Sequence, residues 1–226
     1  MIIAPRGPGD SATNAISATS AIQENSSTMS DALKGIEVSG QSVAGTLGAF
    51  QQYKSMPNKF LLAESVGTPG ADGNVVIDPQ KWYPLENWLR AFGRIGQEVG
   101  PSVLGQIGAS VMQNIQWPPG MNSVEGLIRF IDVGYHMHHR KDGKVMFDGK
   151  TGTMLPGIGN FSFKGEDKNR YLIECANPYP CSFDKGILGG ALRRLGTGSL
   201  AVHDAAAPCR TKGGKGCTYV VFKRKS

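Results

Sequence analysis

All four cysteines of the chain lie between positions 175 and 217, and this clustering constrains the fold more than any other feature of the sequence. Cys209 and Cys217 are separated by seven residues, three of which are glycines. A Gly-rich turn between two strand ends allows both thiolates to reach one ion, because glycine adopts backbone angles that other residues avoid. Cys181 lies at the entrance to a predicted helix, where backbone amides and the positive end of the helix dipole favour a thiolate. The spacing therefore indicates that three thiols share one centre.

Three thiolates with one further donor form the closed tetrahedral arrangement that structural zinc prefers. His203, six residues before Cys209, is the fourth ligand that we favour, and Asp204 and Cys175 are the alternatives. Two different roles for the thiols stay open on the residues alone. Buried cysteines often pack as small hydrophobic side chains, and a thiol can be a catalytic nucleophile, although the sequence places no base beside one.

Composition limits the setting in which these thiols act. No apolar run approaches the roughly 20 residues of a membrane-spanning helix, and the N-terminal residues lack the pattern of a secretory signal. We therefore expect a cytoplasmic protein, in which grouped thiols bind metal more often than they form disulfides. The formal net charge is +6, but the basic residues are scattered apart from the tail at 223–225, so we do not expect nucleic acid as a partner.

Composition also divides the chain near residue 55. Residues 10–30 are rich in Ser, Ala, Thr and Asn, and such a segment buries too little apolar surface to offset its ordering entropy. From 32 to 54 some apolar residues return, but four glycines weaken any helix. We predict a flexible leader and a weakly helical arm over 1–55, and a globular domain over 56–226.

The globular part begins with helical patterns and continues with strand patterns. Residues 60–62 and 75–77 are predicted strands of a hairpin across the turn formers at 67–74. Apolar residues at three- and four-residue steps predict helices over 84–99, 102–115 and 123–135, the first two separated by Gly100 and Pro101. Further strands are predicted at 146–147, 161–163, 170–175, 200–203 and 218–223, with a helix over 187–195. This order predicts an α+β domain, with helices packed on one face of a mostly antiparallel sheet.

Two further groups of residues could carry function. Trp82, Trp88 and Phe92 fall together at the start of the first long helix, where they either form core or line a hydrophobic ligand cavity between helices and sheet. Three histidines between 136 and 139 could hold a metal or a heme. We interpret them instead as a solvent-facing helix end, where histidine suits the negative end of the dipole.

The segment 177–221 resembles the 4-vinyl reductase-type (vinyl-4-reductase) small-molecule-binding domain, a family related to ligand-binding domains of NO signalling and Golgi transport proteins. The resemblance rests on Cys181 with Gly186 five residues later, on Cys209 and Cys217 around the Gly-rich turn, and on the strand at 218–221. It implies that the three cysteines bind a structural zinc ion. The sensor branch of the family takes its fourth ligand from a carboxylate, and this chain has His203 and Asp204 in that place.

The resemblance implies a zinc-containing sensor or carrier domain for a hydrophobic, aromatic or tetrapyrrole ligand, with a C-terminal zinc-binding clip that closes one wall of the pocket. It also implies a homodimer, for which the small residues Gly105, Gly108 and Ala109 offer a surface, and a separate output protein. Catalysis is not expected. The alternatives are an accessory protein or reductase-like enzyme acting on a tetrapyrrole vinyl group, and a protein-interaction scaffold.

Overall fold

The computed structural model describes residues 33–50, 56–197 and 199–223. The chain divides after Lys34, and the elements below belong to the unit that begins at Gly35. The leader expected at 10–30 lies outside the described residues. Among the helices of the described ranges, none is long and apolar enough to cross a membrane.

A four-stranded antiparallel sheet with the order β4-β1-β5-β6 begins the unit. Its strands are β1 (Ile36–Ser39), β4 (Trp82–Pro84), β5 (His139–Lys141) and β6 (Lys144–Val145). Strand β1 pairs with both β4 and β5 and is therefore central. Its residues Ile36 and Val38 are buried, because alternate residues of a strand face the same side of a sheet. Helix α1 (Gly40–Gly48) follows directly, and the Ser39 side chain caps its first turn by accepting a hydrogen bond from the Ser42 amide.

This sheet corrects the boundary expected near residue 55. Residues 36–48 form a central strand and a helix of the domain, not a weakly helical arm. Val43 and Thr46 bury one face of α1, and helices in proteins draw most of their stability from such packing rather than from propensity. The glycines therefore did not prevent the helix.

Three more helices and a short hairpin follow. Helix α2 (Met56–Ala63) stands where a strand was predicted at 60–62, and the prediction was wrong because Pro57, Phe60 and Leu61 bury one helical face. The hairpin consists of β2 (Thr68–Pro69) and β3 (Val75–Val76). Helix α3 (Leu85–Asn114) is kinked at Gly100, where φ is 79°. The break predicted at this position is confirmed, and α4 (Val124–Met137) covers the third predicted helix.

The C-terminal half forms a second antiparallel sheet with the order β11-β12-β10-β9. Along the chain, a small hairpin of β7 (Phe147–Asp148) and β8 (Thr153–Met154) comes after the first sheet and before the second. The strands of the second sheet are β9 (Phe161–Glu166), β10 (Arg170–Cys175), β11 (Ala201–His203) and β12 (Cys217–Phe222). Helix α5 (Cys181–Arg194) begins six residues earlier than the helix predicted from 187. The expected α+β class, with helices and mostly antiparallel sheets, is confirmed.

Helices α3 and α5 approach each other closely through small residues. A Cβ atom on Gly108 would lie 2.9 Å from the amide nitrogen of Ile187, and one on Gly190 would lie 2.7 Å from the carbonyl oxygen of Ala109. Both distances are shorter than real Cβ contacts, so only glycine fits at these two positions. The small-residue face that we expected to serve a homodimer is therefore used within the chain, to pack α3 on α5.

Candidate metal centre and apolar cavity

The four predicted zinc ligands come from four different elements that meet at one end of the second sheet. Cys181 is the first residue of α5, and Cys217 is the first residue of β12. Cys209 precedes a short 3-10 turn (Arg210–Lys212), and His203 ends β11, where it pairs with Tyr219 of β12. The polypeptide returns from β11 to β12 through the Gly-rich turn. The Gly213 residue of this turn has a φ of 81°, in the left-handed region that favours glycine.

The donor atoms lie at distances suited to one tetrahedral ion. The Sγ atom of Cys181 is 3.2 Å from that of Cys217 and 3.7 Å from that of Cys209, and the Cys217 and Cys209 sulfurs are 3.6 Å apart. A tetrahedral zinc with Zn–S bonds of about 2.3 Å requires sulfurs about 3.8 Å apart. With the imidazole of His203, all four donor atoms lie within 4.8 Å of one another.

The imidazole of His203 gives an independent indication of a metal site. Its Nε2 atom is buried and has no hydrogen-bond partner among the residues that the structure describes. A buried polar atom without a partner is costly, and such atoms are rare in native proteins. A cation bound by this nitrogen and the three sulfurs would supply the partner, so the residues present fit a structural zinc ion.

Two thiols of the centre have different pKa values. Burial, together with hydrogen bonding and charge interaction with Cys217, raises the pKa of Cys181 to about 12. At Cys209 burial acts in the same direction, but hydrogen bonds from Thr211 and from the neighbouring thiols lower the pKa to about 7. One thiolate therefore forms readily, and its negative charge opposes the next. A divalent cation would remove this opposition and allow all three thiols to ionise.

The two alternative ligands lie outside this group of donors. Asp204 accepts a hydrogen bond from the amide of Ala206 and so closes a local turn. Cys175 is fully buried opposite Cys217 in the β10–β12 pairing, where burial raises its thiol pKa. The structure thus brings His203 to the three thiols, and neither Asp204 nor Cys175 belongs to the four-donor group.

An apolar cavity of about 280 Å³ lies beside the metal centre, between helices α1, α3, α4 and α5 and strand β9. Most of its lining is aliphatic or aromatic. The apolar side chains include Val111, Met112, Ile115, Phe130, Ile131, Phe161, Phe183 and Ile187. Phe183 and Ile187 belong to α5, whose first residue is the candidate ligand Cys181. One helix therefore carries both a donor of the metal centre and part of the cavity wall.

A small set of polar groups also lines the cavity. His139 is 2% exposed, and burial lowers its pKa to about 4. Its Nδ1–H donates to the Tyr135 carbonyl oxygen at 2.7 Å, so its Nε2 accepts from the Tyr179 hydroxyl at 3.2 Å. Burial also lowers the pKa of His138. The imidazole of His139 is therefore neutral at neutral pH.

The histidines correct one sequence interpretation. His136 and His139 are both buried, so the solvent-facing helix end expected at 136–139 is wrong for these two. The available signal was helical spacing, because His136 follows the buried residues Ile128 and Asp132 at four-residue steps.

The aromatic residues predicted to bind a ligand lie elsewhere. Trp82, Trp88 and Phe92 do not line this cavity. Trp88 and Phe92 are buried and stack on each other with ring centroids 5.0 Å apart, and Phe92 meets the wall residue Phe183 edge-on at 5.1 Å. Trp82 packs under the guanidinium of Arg140. Trp88 and Phe92 therefore form a layer behind the cavity wall.

Of the comparisons with known proteins, only the one with solved structures gives a likeness. No family model matches the chain, and no curated protein matches it. The chain has the fold of solved H-NOX domains, which agrees with the NO-signalling part of the resemblance and not specifically with the 4-vinyl reductase-type family.

Three of these similar structures illustrate the likeness. One comes from a study of the function of heme distortion in the H-NOX family. Its TM-score is 0.57 at 11% sequence identity, and the match covers 82% of this chain and 95% of that one. The second is a Cs H-NOX mutant with the unnatural amino acid 4-cyano-L-phenylalanine at site 5. Its TM-score is 0.55 at 13% sequence identity, and the match covers 83% of this chain and 97% of that one. The third is the oxygen complex of an oxygen-binding H-NOX domain related to soluble guanylate cyclases. Its TM-score is 0.52 at 14% sequence identity, and the match covers 83% of this chain and 95% of that one.

Proposed function

We propose that this chain is a small-molecule-binding domain of the sensor or carrier type, with a structural zinc ion held by Cys181, His203, Cys209 and Cys217. The observation that carries the proposal is the apolar cavity beside the four-donor group, joined to it through α5. Four protein donors leave no open position on the ion, so the metal is closed and structural, and we assign it no hydrolytic role. Thiolate ligation also suits a reducing compartment such as the cytoplasm.

The proposed ligand is a small hydrophobic or aromatic molecule. Ligand pockets are typically about 300–1,000 Å³ and mostly apolar, with a few polar groups that orient the ligand. The cavity has this character, and its volume of about 280 Å³ lies just below the range. Neutral His139 and the hydroxyl of Tyr179 belong to its polar part. An open cavity also favours ligand binding over a purely structural scaffold.

A tetrapyrrole is the second candidate, because two of the similar H-NOX structures concern heme. His138 lies in the cavity wall, and a hydrogen bond of 2.9 Å with Ser39 Oγ occupies its Nδ1, so Nε2 is the atom that would hold an iron. Two observations count against this candidate. The volume is small, and the described residues of the lining include no Lys or Arg to pair with the carboxylates of heme.

Analysis of the purified protein tests both parts of the proposal. Elemental analysis is expected to give about one zinc per chain, as a single closed site requires. Mass spectrometry of the released small molecules identifies what copurifies, and a Soret band in the absorption spectrum would replace the first ligand candidate with the second. Protein without zinc, or with iron in its place, would overturn the structural-zinc assignment.

The proposed sensor would pass its ligand state to a separate output protein. A homodimer is one assembly that would allow this, through a surface other than the α3 face that packs on α5. Light scattering with and without ligand measures the assembly, and an invariant monomer would remove the dimer from the proposal.

A further inference from the structure

A buried ion pair connects the cavity wall with the metal centre. Asp184 lies on α5, three residues after Cys181, and is fully buried at the cavity wall. Its Oδ1 accepts a hydrogen bond of 3.1 Å from the Asn177 side chain, and its Oδ2 pairs with the guanidinium of Arg210. A buried carboxylate requires such partners, because an unpaired charge is very costly in a protein interior.

The same guanidinium belongs to the metal side of the structure. Arg210 follows the candidate ligand Cys209 directly in the chain. It donates to the backbone oxygen of Asn177 and, at 2.6 Å, to its side-chain oxygen. One side chain thus adjoins a candidate metal ligand in the chain and contacts both the loop before α5 and a residue of the cavity wall.

The charges on the two sides give a reason for this contact to respond to a bound metal. Zinc with three thiolates and a neutral imidazole carries one net negative charge, and Asp184 carries another when ionised. Arg210 pairs with Asp184 and directly follows Cys209 in the chain. A bound metal would fix Cys209, and with it the backbone of the next residue. The guanidinium would then be held where it pairs with Asp184 and would restrain the first turn of α5.

We infer that Arg210 is a positioning residue that couples the metal centre to the cavity, so that zinc binding and ligand binding strengthen each other through the Arg210–Asp184 pair. The inference rests on the proposed function, because it requires both a metal and a ligand. The same turn of α5 supplies Phe183 and Asp184 to the cavity wall, so fixing it shapes the site. Coupling between two binding events is reciprocal, so it can be measured from either side.

The experiment measures zinc affinity with and without a cavity probe, using the zinc-loaded full chain. The probe is N-phenyl-1-naphthylamine, a neutral aromatic fluorophore, and zinc affinity is obtained by equilibrium competition with the chelator 4-(2-pyridylazo)resorcinol. In the wild type, saturating probe is expected to raise the zinc affinity about fivefold or more, the lower end of typical couplings. In Arg210→Met the ratio is expected to fall close to one, although all four ligands remain. Arg193→Met replaces an exposed arginine of α5, and this variant is expected to keep the wild-type ratio.

The outcomes separate this inference from the proposed function. A chain that binds no zinc or no probe refutes the proposed function. A wild type that binds both, with a zinc affinity that the probe does not change, overturns the coupling alone. An Arg210→Met variant with the full wild-type ratio also overturns it, because a merely stabilising arginine would change the absolute affinities and leave their ratio intact. If Arg210→Met does not fold, Asp184→Leu/Arg210→Met, which leaves no unpaired buried charge, is measured against the same two expectations.

Discussion

Gly186 of α5 lies directly against the backbone of Gly105 of α3, so closely that a Cβ atom on Gly186 would overlap the Gly105 carbonyl group. This contact sets the distance between the helix that begins at the candidate metal centre and the helix that forms the opposite side of the cavity. Both neighbours are backbone atoms, which cannot rotate away as a side chain would. Helices α3 and α5 can therefore approach this closely only because Gly186 has no Cβ methyl group.

Replacing Gly186 with alanine is expected to destabilise the fold by about 1–3 kcal/mol or more, as overpacking of a closed interface does. Thermal unfolding measures the effect. Gly189→Ala is the matched control on the same helix, because its Cβ would meet only the flexible end of Arg193, at 3.5 Å. It is expected to be neutral or to stabilise by about 0.5–1 kcal/mol. Equal stability of the two variants would contradict the close helix approach.

Replacing Cys217 with serine is expected to remove zinc from the purified protein, because a hydroxyl does not substitute for a thiolate at a structural site. Loss of the ion should cost about 3 kcal/mol or more, which lowers the Tm by roughly 6–12 °C in a chain of this size. Cys175→Ala is the control, since Cys175 is buried opposite Cys217 but lies outside the donor group. It should keep its zinc and lose only about 1 kcal/mol. Zinc retained by the serine variant would refute the ligand assignment.

Local periodicity was sufficient to predict the long helices and the kink at Gly100, because these depend on contacts within a few turns of chain. The sequence also led to the group of four donors that the structure brings together, since cysteine occurs nowhere else in the chain and His203 lies within the same segment. It did not predict β1, whose residue Val38 pairs with Tyr83 on one side and His139 on the other. A strand held by partners so distant in the chain has no signature of its own over four residues.

An apolar cavity was expected, but the residues that line it were missed for a related reason. Its walls come from several helices and a strand, and its shape depends on how those elements cross, which no single segment encodes. The positions of Trp88 and Phe92 in the sequence suggested that they line the cavity, but in the structure their rings stack on each other in the core. The Asp184–Arg210 pair joins two segments 26 residues apart. The shared centre predicted for Cys181 and Cys209 brings these segments together, but no pattern in the sequence identifies the ion pair itself.

His139 is expected to make stability fall in mild acid. Its pKa in the folded state is about 4, and the ordinary pKa of histidine is 6.5, so between these two pH values the unfolded chain binds the proton and the folded chain does not. Stability therefore rises with pH through this window, by about 3 kcal/mol in total. His139→Gln lacks the titrating group, so the stability difference between wild type and variant should shift in favour of the variant as pH falls from 7 to 5. Denaturant unfolding at both pH values measures this, and a constant difference would contradict the buried neutral imidazole.

Filling the cavity from Gly134 is expected to abolish ligand binding without harming the fold. Gly134 lies on α4 in the cavity wall, and a Cβ atom there would meet nothing within 4 Å. Gly134→Leu should therefore place its side chain in the cavity and weaken binding of N-phenyl-1-naphthylamine tenfold or more. Leucine is also the better helix former, by roughly 0.5–1 kcal/mol, so the Tm should not fall.

The control for this variant is Gly93→Leu, on α3. Its Cβ also meets nothing within 4 Å, but Gly93 does not line the cavity. Fluorescence titration should give wild-type affinity for this control. If Gly134→Leu also binds the probe with wild-type affinity, the ligand occupies some other surface and the cavity is not the binding site. If both variants lose binding, the effect comes from the added leucine and not from its position, and the assignment fails equally.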